Sequence, residues 1–305
     1  MKFLLILSLL FTSLFSKNLE MRKDFLLEVI EIPVYKKRFP AYLKKLCKKD
    51  SSCLREKIVN IKTWSTTPKD KKLLKLLKRR LKKIEINSEY FNKIQNKVLK
   101  TFQDKKIYKK QYLSIVDLSK QLLILVVYEN DSIKYIGSDL VSTGDMYRER
   151  EIKFGENHYF NTPKGLFKAH RGWRSTGDLG SDKVSLGYGK KGRYIFYFGK
   201  QKSKRFNTFT RNKTKILDES KWNIVNDTLQ LAMHAHESSY PKGKAYSHGC
   251  IRLYNETNIF LDKHLFLHKK SIIKNKWKNP YSLAPNDIQY TSFVGQYLLV
   301  EKNFH

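Results

Sequence analysis

The sequence predicts a mostly β domain, a sandwich or open barrel, preceded by a helical N-terminal region, so the fold class is α+β overall. Residues 111 to 141 alternate short β-branched and aromatic runs with turn residues. Residues 18 to 108 instead repeat apolar side chains at helical spacing among lysines and arginines. Between the later short runs lie glycine-, serine- and lysine-rich stretches, as on a β scaffold that carries long loops.

Taken in order, residues 1–17 read as a signal peptide. Lys2 gives a positive start, Phe3 to Phe15 form an apolar run, and Ser16 is a small residue at a cleavage point. The run is short for a membrane span, and an uncleaved anchor is the alternative. No cysteine follows it, so lipoprotein processing is not supported. The chain is therefore expected to be exported, to the periplasm or cell envelope.

Residues 18–108 form the basic helical region. Thr67, Pro68 and Asp70 make a helix start, with a capping hydroxyl, a first-turn proline and an acid at the positive end. Leu73, Leu77, Leu81 and Ile84 follow at helical spacing, and Phe91, Ile94 and Val98 continue in a second helix. Such a stripe packs on a neighbouring domain or partner chain; a peripheral membrane contact is the other reading.

Strands are expected at Tyr112 to Val116, Leu122 to Tyr128, Ile133 to Val141, Gly165 to Ala169, Tyr194 to Phe198 and Leu229 to His234. Residues 171 to 192 and 200 to 220 read as long loops. Glu256 to Leu267 reads as a helix. The β domain is placed at 109–268, and 269–305 is set apart as a basic C-terminal extension with Trp277, Tyr281 and Tyr290 as docking aromatics.

The net charge of +33 over 305 residues favours anionic surfaces: nucleic acid, acidic lipid or wall polymer. A solvated lysine-rich surface explains the same number. Export and the lack of any nucleic-acid-binding motif exclude nucleic acid as the expected partner. Of three cysteines, Cys47 and Cys53 are close together and Cys250 is distant. The close pair forms a disulfide or stays as two thiols on a helix, and Cys250 is the odd thiol. No metal or cofactor is expected, since the cysteines lack clustered histidines.

The chemistry concentrates in Met233-His234-Ala235-His236 and Ser247-His248-Gly249-Cys250-Ile251-Arg252-Leu253. A thiolate attacks carbonyl carbon, so a cysteine nucleophile needs a histidine to take or hold its proton. His234 ends an expected strand, and the loop from Glu237 to Tyr246 can return Cys250 to it. His236 is a second candidate base. Gly249 permits an unusual turn, and the amides of Gly249 and Cys250 can face an oxyanion. Arg252 suits a bidentate grip on a carboxylate.

The segment from Ser247 to Leu253 resembles the signature of the L,D-transpeptidase (YkuD-type) catalytic domain, with His234 at the upstream spacing of that family's histidine. Gly243-Lys244-Ala245, Asn161 to Phe167, and Asp117 to Gln121 through Val141 to Gly144 are similar to further family segments. The resemblance covers roughly residues 110 to 268. It implies a YkuD-like β fold, no cofactor, and peptidoglycan stem peptides as partners.

By the same resemblance, Cys250 forms a thioester with a tetrapeptide stem and releases D-alanine. His234 is the base, oriented by a backbone carbonyl, that of Ala235. Ser247, His248 and Gly249 shape the pocket, and Arg252 binds a substrate carboxylate. The acyl group then passes to an amine of another stem, to a lysine of a wall-anchored protein, or to water. Ala235 departs from the glycine often found there, which a carbonyl role tolerates. An L,D-carboxypeptidase or endopeptidase shares the acyl half of this reaction. A non-catalytic wall-binding scaffold is the reading from another class. Oligomeric state is left open.

Overall fold

A computed structural model describes residues 84, 86–151, 159–170, 172–180, 186–210, 212, 214–236, 242–268 and 294–304. The expected signal, the Thr67 helix start, Cys47, Cys53 and the docking aromatics Trp277, Tyr281 and Tyr290 lie outside the described residues.

The described chain is mostly β, with helix α1 (Ser88–Asp104) ahead of it. The strands are β1 (Gln111–Asp117), β2 (Leu122–Glu129), β3 (Ser132–Leu140), β4 (Gly165–Lys168), β5 (Trp173–Arg174), β6 (Tyr194–Asn207), β7 (Asn223–Ala235), β8 (Ile251–Leu253) and β9 (Tyr297–Glu301). Helix α2 (Asn255–Lys263) follows β8. They form a five-stranded sheet in the order β3-β2-β1-β9-β4 and a four-stranded sheet in the order β5-β6-β7-β8.

Every residue of β1 and β2 is buried. Strands buried on both faces must be covered on both faces. One cover is α1, whose Ile94, Val98 and Phe102 are buried. Phe102 meets Tyr128 of β2 edge-on at 4.7 Å between ring centroids, and Phe91 meets Tyr135 of β3 at 5.7 Å. Asn87 starts the helix by accepting the Tyr90 amide at 2.8 Å. The Tyr90 hydroxyl then donates to the buried carboxylate of Asp117 at the end of β1. The expected apolar stripe at Phe91, Ile94 and Val98 therefore packs on the β domain itself.

Three expectations need correction. First, 269–305 is not wholly an appendage, because β9 sits inside the five-stranded sheet, parallel to β1 and antiparallel to β4. Second, residues 200 to 207 are strand, not loop: β6 continues through them, paired with β7 as far as Asn207↔Asn223. Lysines at alternate positions there read as a solvated loop in composition, but they are the exposed side of a two-residue repeat. Third, the helix after β8 ends at Lys263, short of Leu267. Leu265 adopts φ +58, Leu265 N donates to Asp262 O, and Phe266 N donates to Leu261 O at 3.0 Å. This is a Schellman stop with leucine where glycine usually signals it, so no stop residue was visible.

Replacing Tyr90 by Phe removes the hydroxyl from a buried carboxylate. Urea unfolding is expected to show a loss of about 1–3 kcal/mol with an unchanged m-value. An unchanged midpoint would mean that the Tyr90–Asp117 bond does not anchor α1.

Candidate active site

Strand β8 pairs in parallel with β7 through Met233↔Ile251, His234↔Arg252 and Ala235↔Leu253. Cys250 therefore stands opposite Ala232, and His234 lies two residues further along the same face. That diagonal is on the order of 8 Å between Cα atoms, a span an imidazole can bridge. His234 is 4% exposed, and its Nδ1 is 2.8 Å from the carbonyl oxygen of Ala235. A carbonyl only accepts, so Nδ1 carries the hydrogen and Nε2 is left as the basic nitrogen. The carbonyl contact implied by the resemblance is thus present at Ala235.

Cys250 is partly accessible, and its Sγ lies 3.5 Å from the carbonyl oxygen of Gln230. Its position is fixed by a clamp of three segments. Ser142 and Arg252 exchange backbone hydrogen bonds at 3.0 and 2.8 Å. Ser247 Oγ donates to the Cys250 carbonyl and accepts the Gly249 amide at 3.1 Å. Thr162 Oγ1 donates to the Gly249 carbonyl at 2.7 Å and accepts the Gly144 amide at 2.8 Å. Gly249 has φ +127, a conformation that side chains disfavour. A Cβ on Gly144 would stand 2.2 Å from Phe160 O and 2.5 Å from Gly249 Cα, so only glycine lets these segments touch.

The electrostatics favour an uncharged pair at rest. Burial is the main cause that lowers His234, to about 3; the Ala235 carbonyl works against it, while Arg252 and Lys242 add to it. Burial also pushes the Cys250 thiol above its ordinary value, against a backbone hydrogen bond from Ala232 and the charge of Arg252. Both shifts favour a thiol beside a neutral imidazole.

The other expected residues surround this pair. Arg252 Nη1 donates to the Tyr246 carbonyl at 3.3 Å, and Nη2 lies 3.4 Å from His248 Nδ1. The His248 ring stacks on Tyr159 at 4.1 Å. His236 is buried next along from His234, with ring centroids 6.2 Å apart, and its carbonyl accepts from Lys242 Nζ. The structure thus gathers Cys250, His234, Arg252, Ser247, His248, Gly249 and His236 around the β7–β8 end.

Sequence reasoning missed Tyr188, whose ring meets His234 edge-on at 4.8 Å and whose hydroxyl is raised chiefly by burial, then by Cys250. The neighbouring Gly189, with φ +78, was the available signal: a Cβ there would strike Ala235 Cβ at 2.7 Å. Glycine thus lets that turn press Tyr188 onto the site. Thr162 was legible only as part of a motif, with no role for its hydroxyl.

Fold and site together define a mostly β domain that holds a cysteine–histidine pair at the edge of a sheet. Residues 111–261 match the family model of the YkuD L,D-transpeptidase catalytic domain, and the chain carries a domain of that family. Among solved structures it is similar to Bd1075 of Bdellovibrio bacteriovorus, at 15% identity and TM-score 0.31, over 65% of this chain and 50% of that one. It is also similar to an L,D-transpeptidase (residues 123–326) of Xylanimonas cellulosilytica DSM 15894, at 16% identity and TM-score 0.28, over 63% and 61%. A third is a fused Zn-dependent amidase/peptidase/peptidoglycan-binding domain-containing protein of Clostridium acetobutylicum ATCC 824, at 12% identity and TM-score 0.26, over 63% and 52%. The chain therefore spans only about half to three-fifths of those chains. No curated protein matches at a significant level. Among the described residues no helix is long and apolar enough to cross a membrane.

Two outcomes are expected. Alkylation of Cys250 by iodoacetamide should be slow near neutrality and still rise with pH beyond 9.0, the ordinary thiol value. His234 stays neutral from about 3 upward, so no acid-side plateau of thiolate is expected; a plateau would indicate a preformed ion pair. Thr162→Val should lower stability by about 1–3 kcal/mol, because the Gly144 amide and Gly249 carbonyl both lose a buried partner. Equal unfolding midpoints for variant and parent would dismiss the clamp.

Proposed function

We propose that this protein is an exported peptidoglycan L,D-transpeptidase acting in the periplasm or cell envelope. Its substrate is a tetrapeptide stem. Cys250 Sγ attacks the carbonyl carbon between the L-centre of the diamino acid and the terminal D-alanine. His234 Nε2 takes the thiol proton as the S–C bond forms, and the imidazolium returns it to the leaving amine. The C–N bond breaks, D-alanine departs, and a thioester remains on Cys250.

In the second half an acceptor amine attacks the thioester, His234 takes its proton, and the thiol is regenerated. The acceptor is an amine of another stem or a lysine of a wall-anchored protein. The observation that carries this reading is the Ala235 carbonyl on His234 Nδ1, which leaves Nε2 basic on the face that Cys250 shares. The Gly249 amide is engaged by Ser247, so the Cys250 amide is assigned to the oxyanion and Gly249 to shaping the turn. Arg252 is assigned to a substrate carboxylate, with Ser247, His248 and His236 forming the surrounding wall.

Intact-mass spectrometry after exposure to a tetrapeptide stem should show a tripeptidyl adduct on Cys250. His234→Ala should slow its formation about 10²–10⁴-fold. Muropeptide analysis then separates the outcomes: crosslinked dimers support transpeptidation, and tripeptides alone support an L,D-carboxypeptidase. A Cys250→Ser variant that keeps full function in cells would favour the non-catalytic wall-binding scaffold.

A further inference from the structure

The face that carries the site does not end at the site. Along β7, His234, Ala232, Gln230, Thr228 and Asn226 share one side by the two-residue repeat. Their partners on β6 are Tyr197 opposite Ala232, then Lys200, Lys202 and Lys204 opposite Gln230, Thr228 and Asn226. Gly199, with φ +85, forms the bulge between Tyr197 and Lys200, which keeps Phe198 in the core and returns Lys200 to this face.

All three lysines are exposed, as are Gln230, Thr228 and Asn226. Alternate residues on a strand are about 7 Å apart. Three ammonium groups at that spacing repel, and a sheet usually answers them with acids across the ladder. Here the cross-strand partners are neutral. Among the described residues no carboxylate pairs with Lys200, Lys202 or Lys204, although Arg205 next to them pairs with Asp227 on the strand's other side. The ladder begins beside Gln230, whose carbonyl faces the Cys250 sulfur.

We propose that Lys200, Lys202 and Lys204 form a docking strip for the carboxylates of an extended, acidic wall peptide lying along the β6–β7 hairpin towards Cys250. The strip rests on the wall-substrate reading above and adds a second contact region to it. Strand geometry sets the match: an extended peptide presents alternate side groups at the same repeat as the lysines. The contacts are exposed, so they set capture and orientation at moderate salt and fade as salt rises.

The test uses the full chain carrying Cys250→Ala, so that binding is read without turnover. Co-sedimentation with purified sacculi is compared for the parent, K200Q/K202Q/K204Q, and a control, K100Q/K105Q/K109Q, which removes equal charge at α1 and the residues just after it. The ladder variant should bind about tenfold more weakly and show a flatter salt dependence, while the control matches the parent. Sacculi with carboxylates blocked by carbodiimide and ethanolamine should remove the difference. In the Cys250 background, the ladder variant should lose rate on sacculi and keep its rate on a short soluble stem.

Equal loss in ladder and control variants would overturn the proposal in favour of bulk charge. So would undiminished ladder-dependent binding to blocked sacculi, or equal ladder-dependent binding to anionic phosphatidylglycerol vesicles. If binding runs through the ladder yet the chain with Cys250 intact makes no adduct there, the proposed reaction fails and the docking strip stands. If the chain with Cys250 intact forms the adduct but the ladder variant binds like the parent, the reverse holds.

Discussion

The position of Cys250 depends on the clamp around Gly249. Strand β8 has three residues and three pairings to β7, too little to hold itself in place. Its other edge is fastened by Ser142, and the turn before it by the Thr162 hydroxyl, which joins Gly144 to Gly249. Segments distant in sequence thereby converge on one backbone turn. The catalytic geometry proposed for the sulfur follows from that convergence, because nothing within residues 247 to 253 alone fixes where the turn points.

The charge environment complements the clamp. Arg252 and Lys242 depress the His234 imidazole, and Arg252 favours the ionised form of the Cys250 thiol. Burial opposes charge on both groups and is the larger influence on each. Burial therefore outweighs the nearby cations in the resting site, and in the proposed reaction those cations would face the negative charge that develops on sulfur and oxygen. The orienting carbonyl of Ala235 is neutral, unlike a carboxylate, and does not promote protonation of the ring to the same degree.

Much of this was legible because its signals are local. The cysteine signature, His234 and the β1, β2 and β3 runs carry their patterns within a few residues. Strand β9 was not legible, since nothing in Tyr297 to Glu301 states that its partners are β1 and β4. The far half of β6 was hidden by lysine, whose composition suggested loop while its alternation was strand. The end of α2 was hidden by Leu265 in a left-handed conformation. Tyr188 was hidden because only the folded loop brings it to His234.

The placement of β9 has a consequence for assembly. It is the fourth strand across its sheet yet the last in the described chain, and β4 reaches the sheet only through it. Until residues 297 to 301 are available, β1 presents an unpaired edge and β4 has no neighbour. The five-stranded sheet therefore closes only when residues 297 to 301 join strands formed far earlier in the chain. Until then the edge of β1 is open to mispairing, and a chain lacking residues 297 to 301 loses the strand that joins β4 to β1.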